Sequence, residues 1–213
     1  MRNGGFRIGT VGKALPDTEI KIAHDGEILV KGPQVMIGYY KDPVQTSEVL
    51  KDGYFHTGDI GEIDADGFLK ITDRKKEMFK TSGGKYVAPQ LLENAMKQSQ
   101  FIEQIMVIGD GEKMPAALVQ PNWEFIEGWS EKQGKNISSD LKVSSQDEVL
   151  RNRIMEDVLK FNEKFGKWEQ IKKIELTPEI WSIEAGHLTP TMKMKRKVIK
   201  ARYMDLYNKI YGH

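Results

Sequence analysis

Apolar and polar residues alternate along roughly the first 72 positions, with a period of two that predicts half-buried strands. Asp-Gly pairs interrupt the alternation, and that dipeptide supplies the positive φ angles of a tight hairpin turn. EIKIA, Asp25-Gly26 and EILVKG predict one hairpin; IGEID, Asp66-Gly67 and FLKIT predict a second. QIMVIG, Asp110-Gly111 and PAALVQ predict a third, and Asp-Gly occurs once more at 52–53. In the first stretch only a short helix, near 43–50, interrupts the strands.

After Arg74 the period lengthens. Pro89 precedes LLENAMKQS, where Leu91, Leu92, Ala95 and Met96 share a helical face, and proline suits a first helical turn. A longer helix is expected from Ser145, which has capping-box spacing to Glu148. Leu150, Ile154, Val158, Phe161 and Phe165 continue its apolar face. A last helix is expected from Arg196 to Tyr211, with Ile199, Tyr203, Leu206 and Ile210 inward. KIELT at 173–177 reads as a strand, and the polar run 130–146 as a surface loop. The fold class is therefore α+β. A β-rich part, 1–73, is followed by a part of helices and mixed strands, 74–213. The join falls at Asp73-Arg74-Lys75-Lys76, a charged segment suited to a hinge.

Composition narrows the function. Of 213 residues, 39% are hydrophobic and 30% charged, as in a globular domain. A net charge of +1 argues against a nucleic-acid binder. Cysteine is absent, which excludes disulfides and thiolate metal sites and fits a cytoplasmic location. The histidines, His24, His56, His187 and His213, are too scattered for a histidine-built zinc site. No apolar run reaches the roughly 18 residues of a transmembrane segment, and the first residues lack the apolar core of a signal peptide.

Four short motifs carry candidate chemistry, each with a plainer reading beside it. Asp59, in Thr57-Gly58-Asp59, can accept two hydrogen bonds from a vicinal diol, or simply cap its own turn. Arg74 can bind ribose or phosphate oxygens, or belong to a solvated charge run. Ser82-Gly83-Gly84-Lys85 can let a slender ligand pass close to the backbone, but lacks the spacing of a nucleotide-phosphate loop. Thr189-Pro190-Thr191-Met192-Lys193-Met194-Lys195-Arg196-Lys197 gathers cations at a helix start, where each costs about 0.3–1 kcal/mol. A lysine there can neutralise a phosphate or carboxylate, or serve solubility.

The order of these blocks resembles the adenylate-forming acyl-CoA synthetases. GEILVKGPQVMIGYYKDP, GYFHTGD, GFLKITDRKKEMFKTSGGKYVAP and LTPTMKMKRKVI span most of residues 9 to 210, and their wording is most similar to long-chain fatty acid–CoA ligases. The resemblance implies a two-step reaction. A fatty acid attacks the α-phosphate of ATP, and coenzyme A then displaces AMP from the acyl-adenylate. A C-terminal domain rotates between the steps. It implies that Asp59 holds the ribose hydroxyls, that Arg74 contacts the nucleotide, and that the hinge lies within Asp73, Lys75 and Lys76, with Lys76 favoured. Ser82, Gly83 and Gly84 would line the coenzyme A tunnel. Lys193 would be the adenylation lysine, with Lys195 as alternative because Met192 replaces the usual glycine. The resemblance also implies a small β-barrel-like subdomain followed by the mobile domain. The phosphate loop, acyl tunnel and magnesium-holding glutamate would lie in a missing N-terminal part, leaving this chain inactive alone. ATP, coenzyme A and magnesium are the expected cofactors. Fatty acid and the rest of the enzyme are the expected partners, with no nucleic acid and no transmembrane segment, in the cytoplasm or peripheral to a membrane. Rival readings are an aryl-CoA ligase, an adenylation domain, or a non-catalytic binding module.

Overall fold

Alternation in the first part becomes an antiparallel sheet. The computed structural model describes residues 6–135 and 137–213, which divide into two units, one ending at Met78 and one starting at Phe79. In the first unit, β1 (Glu19–Ile22) turns into β2 (Glu27–Lys31) at Asp25-Gly26, with Gly26 at φ 86°. Helix α1 (Pro43–Val49) starts where Asp42 accepts a hydrogen bond from Gln45 N–H. Strands β3 (Leu50–Lys51), β4 (Tyr54–Ile63) and β5 (Leu69–Arg74) complete the sheet. Asp52-Gly53, with φ of 53° and 79°, turns β3 into β4 as a further hairpin. β4 is central: β2 lines one edge, and β3 and β5 share the other. β1 pairs with β2 alone, so the sheet stays open and does not close into a barrel among the described residues.

The second unit is built on a mixed three-stranded sheet. β8 (Ile102–Ile108) runs antiparallel to β9 (Ala116–Pro121), and β10 (Ile174–Leu176) parallel to it. A separate hairpin joins β6 (Phe79–Lys80) to β7 (Tyr86–Val87). The apolar runs in β8 and β9 are nearly continuous because both faces are covered. Ile105, Val107, Ala117 and Val119 point into a core with Leu92 and Met96 of α2 (Pro89–Met96) and Leu150, Ile154 and Val158 of α5 (Glu148–Asn162). Met106, Ile108, Ala116 and Leu118 point the other way, against Trp181, Leu188, Ile199, Tyr203, Tyr207 and Ile210. Each fully buried aliphatic side chain is worth roughly 1.5–3 kcal/mol.

Three expectations change. The long helix does not begin at a Ser145–Glu148 capping box; it begins at Glu148, where Asp147 accepts from Leu150 N–H at 2.9 Å. A shorter carboxylate at the adjacent position caps it directly. The polar stretch around 130–146 holds the end of α3 (Trp123–Lys132) and all of α4 (Leu141–Ser144). The final helix is two, α6 (Arg196–Arg202) and α7 (Met204–Tyr211), broken at Tyr203 (φ −111°, ψ 38°), whose ring is buried. Among the described residues no helix is long and apolar enough to cross a membrane.

Candidate functional site

In the first unit the Thr57-Gly58-Asp59 segment lies in the middle of β4, not in a loop between strands. Gly58 adopts φ 71°, a backbone that only glycine takes cheaply. Its N–H donates to Glu27 Oε1 at 3.0 Å, and its carbonyl accepts from Lys75 N–H at 2.8 Å. The Thr57 hydroxyl donates to the Ile28 carbonyl at 2.8 Å and accepts from Asp59 N–H at 3.1 Å. These bonds fix Asp59 opposite Arg74 in the β4–β5 register, with Arg74 Nε 2.7 Å from Asp59 Oδ1. The contact is an ion pair without a well-aimed hydrogen bond. Oδ1 is buried, so the 20% exposure of the side chain lies on the rest of it.

Glu27, which none of the sequence motifs singles out, organises this corner. Its buried carboxylate also meets His56 Nδ1 at 3.0 Å and Lys75 Nζ at 2.9 Å, and Lys75 Nζ lies 2.7 Å from Asp25. Burial, the strongest influence, pushes the Glu27 carboxyl up, but Lys75, His56 and the Gly58 N–H together hold it below its ordinary value. The Lys75 hydrogen bond likewise depresses Asp25, and Asp25 with Glu27 raises Lys75. Of the expected hinge residues, Asp73 is fully buried and accepts from Arg74 N–H at 2.6 Å, Lys75 is tied to Asp25 and Glu27, and Lys76 is exposed. A cleft of this unit is lined by Glu27, His56, Gly58, Arg74, Lys75 and Lys76, among others.

In the second unit Ser82, Gly83 and Gly84 form the tip of the β6–β7 hairpin. Thr81 N–H donates to the Lys85 carbonyl at 2.9 Å, Gly84 N–H to the Thr81 carbonyl at 2.8 Å, and Ser82 N–H to the Glu112 carbonyl at 2.8 Å. Gly84 needs glycine for its φ of 79°. Gly83 does not: its φ is ordinary, and an added Cβ would meet only Thr81 Oγ1, at 3.9 Å.

The basic segment forms a second turn of this unit. Leu188 bridges Met194, Thr189 N–H donates to the Lys193 carbonyl at 2.8 Å, and Lys193 N–H to Thr189 Oγ1 at 3.1 Å. Met192 takes φ 61°, the left-handed conformation suited to glycine. Met194 packs inward, while Lys193 and Lys195 on either side are exposed. Among the described residues neither lysine has an ion pair, whereas Arg196 pairs with buried Glu93. No group of three or more His, Asp or Glu residues able to hold a metal ion occurs among the described residues, so they offer magnesium no ready-made site.

Comparison with known proteins gives concordant results. Residues 77–213 match the family model described as AMP-binding enzyme C-terminal domain. Over 207 residues the chain is 40% identical to the long-chain-fatty-acid–CoA ligase FadD15 of Mycobacterium tuberculosis, covering 97% of this chain and 34% of that protein. It is 37% identical over 224 residues to human long-chain-fatty-acid–CoA ligase 1, covering 98% of this chain and 32% of the relative. The chain thus spans about a third of the length of these curated relatives. Among solved structures, the A domain of a carboxylic acid reductase from Segniliparus rugosus, in complex with AMP and a co-purified carboxylic acid, superposes with a TM-score of 0.74. That match has 24% identity and covers 94% of this chain and 32% of the other, a likeness of fold alone.

Proposed function

The chain belongs to the AMP-binding enzyme C-terminal domain family of adenylate-forming enzymes, and on that premise we propose that it is the C-terminal part of an ATP-dependent long-chain fatty acid–CoA ligase. The observation that carries the choice of acid is the similarity to bacterial and human long-chain ligases across 97% and 98% of the chain. An aryl-CoA ligase or a reductase adenylation domain shares the fold, so the fold does not choose the substrate.

Each residue then has a role that its geometry suits. Asp59 accepts the ribose hydroxyls, and Arg74 beside it donates to the nucleotide. Lys75, held by Asp25 and Glu27, fixes the chain ahead of exposed Lys76, the proposed pivot. Gly83 and Gly84 leave room for the pantetheine arm. Lys193, exposed and without a carboxylate partner among the described residues, brings its ammonium to the acid's carboxylate and the α-phosphate, where negative charge builds in the transition state. The domain boundary proposed from the sequence, 73/74, makes Arg74 the first residue of the mobile part, whereas the compact units divide after Met78.

The test separates the two half-reactions in the full-length enzyme. Lys193→Ala is expected to lower acyl-adenylate formation by roughly a hundredfold or more, while supplied acyl-adenylate still reacts with coenzyme A. Equal loss of both half-reactions overturns the lysine's role. Loss of adenylation in Lys195→Ala, with Lys193→Ala intact, transfers the role to Lys195. The 213-residue chain alone is expected to make no acyl-CoA.

A further inference from the structure

A closed side-chain clamp ties the basic turn to the free edge of the sheet. Glu93, on α2, is buried, its side chain only 4% exposed. Its Oε1 accepts from Val107 N–H at 2.8 Å and from Arg196 Nη2 at 2.5 Å. Arg196 Nη1 donates to the carbonyl of the same Val107 at 3.2 Å. Among the described residues β8 is an edge strand, paired with β9 alone. Its outward N–H and C=O at Val107 are therefore met by a carboxylate and a guanidinium instead of another strand. A buried carboxylate is tolerated only with such partners, which makes the arrangement stiff.

Arg196 opens α6 and stands three positions after Lys193. The other side of the turn is also pinned, by the Leu188–Met194 bridge and by Lys195 N–H donating to the His187 carbonyl at 2.8 Å. The segment carrying Lys193 and Lys195 therefore has anchors on both sides, and among these the charged anchor is the Glu93–Arg196 pair. The sequence shows cations crowding a helix start that disfavours them; the buried carboxylate opposite Arg196 explains why one of them is there.

We propose that Glu93 and Arg196 are positioning residues for the adenylation step: they set where the backbone of the lysine turn stands, and so where the lysine ammonium can reach. The inference rests on the reading of that turn as the adenylation loop. It concerns aim and not substrate binding, so loosening the clamp lowers turnover without weakening affinity.

The experiment uses the full-length enzyme with Glu93→Gln, Arg196→Gln, the double variant and Arg196→Lys. Glutamine keeps the acceptor for Val107 N–H and removes the charge. Adenylation kcat is expected to fall roughly tenfold or more in Glu93→Gln and Arg196→Gln, as for a displaced catalytic group. KM for ATP and for fatty acid, and thioester formation from supplied acyl-adenylate, are expected to stay within about twofold, because a turnover-only effect leaves binding intact. The double variant is expected to lose no more than the worse single one, and Arg196→Lys to recover part of the loss. Parallel loss of both half-reactions, or loss of turnover tracking a lowered melting temperature in all four variants, overturns the proposal by showing a merely structural pair. Unchanged adenylation overturns it as well. Lys193→Ala and Lys195→Ala run alongside. If one of them abolishes adenylation while the clamp variants do not, the clamp inference fails and the loop reading stands. If neither matters, both fail together.

Discussion

Asp59 and Arg74 are register partners across β4 and β5, with the guanidinium Nε 2.7 Å from the carboxylate. Arg74 is 53% exposed, and an ion pair that open to water stabilises a fold by at most about 1 kcal/mol. The pair's value therefore lies in holding side by side the two groups proposed to bind the nucleotide. Asp59→Ala and Arg74→Gln are each expected to raise KM for ATP in the full-length enzyme by roughly ten- to a hundredfold, the worth of a charge-assisted hydrogen bond. Melting temperatures should barely move. An unchanged KM for ATP would remove the pair from the nucleotide site.

Gly83 and Gly84 separate under the same kind of scrutiny. Gly84 is required by its φ of 79°, so any substitution there mixes backbone strain with blockage. Gly83 has ordinary backbone geometry and open space around it. Gly83→Leu is therefore the cleaner probe. Stability is expected to change by less than about 0.5 kcal/mol, as for a surface substitution. Thioester formation from supplied acyl-adenylate should collapse, with adenylation spared. Normal thioester formation would show that no pantetheine arm passes this glycine.

Met192 sits in the left-handed region, which costs a non-glycine residue about 1–2 kcal/mol. The residue is 59% exposed, so packing offsets little of that cost. Met192→Gly relieves the strain but loosens the unfolded chain by about 0.5–1 kcal/mol; the net expectation is a stability within about 1 kcal/mol of the parent. Met192→Val, with a branched Cβ in the same conformation, should be less stable than Met192→Gly by more than about 1 kcal/mol. Denaturant melts measure both. Equal stabilities would show that the turn opens to another conformation at little cost.

The hairpins are legible in the sequence because Asp-Gly carries its own backbone instruction and the flanking alternation sets the register. The two-faced sheet is legible only in part. QIMVIG and PAALVQ read as strands, but nothing in them tells which residue faces which core; that follows from helices up to a hundred positions away. The split of the last helix at Tyr203 is hidden, since its ring packs beside His187 and Trp181, both contributed by another segment. Glu27 and Glu93 escape notice for one reason. A buried carboxylate looks in sequence like any surface glutamate, and its partners, Lys75 and Arg196, lie 48 and 103 positions on. The motifs hold the groups proposed to touch substrate, while the groups that hold them in place come from tertiary structure.

Three phenols, one at the α6–α7 junction and two on α7, set an alkaline limit for the second unit. Burial is the main cause in each. It pushes Tyr203 up to about 12 and raises Tyr207 and Tyr211 still further above the ordinary value. Tyr207 also donates to Glu112 Oε1 at 2.7 Å, and Tyr211 to the carbonyls of Ile108 and Met114 at 3.2 and 3.1 Å. The unfolded chain ionises its tyrosines near pH ~10, before the folded one does. Between that value and the raised folded values the folded state binds more protons, so stability falls with rising pH. Stability of this unit is expected to be level with respect to these groups below about pH 10 and to decline from there to about pH 12. Tyr203→Phe keeps the ring and removes the hydroxyl, which lies 3.4 Å from His187 Nε2 and also faces Trp181 and Arg202. It should flatten the decline by on the order of 2 kcal/mol at the alkaline end. Denaturant melts followed by tryptophan fluorescence across that range measure the slope. Identical slopes for parent and Tyr203→Phe would mean that the Tyr203 hydroxyl ionises as readily in the folded protein as in the unfolded chain.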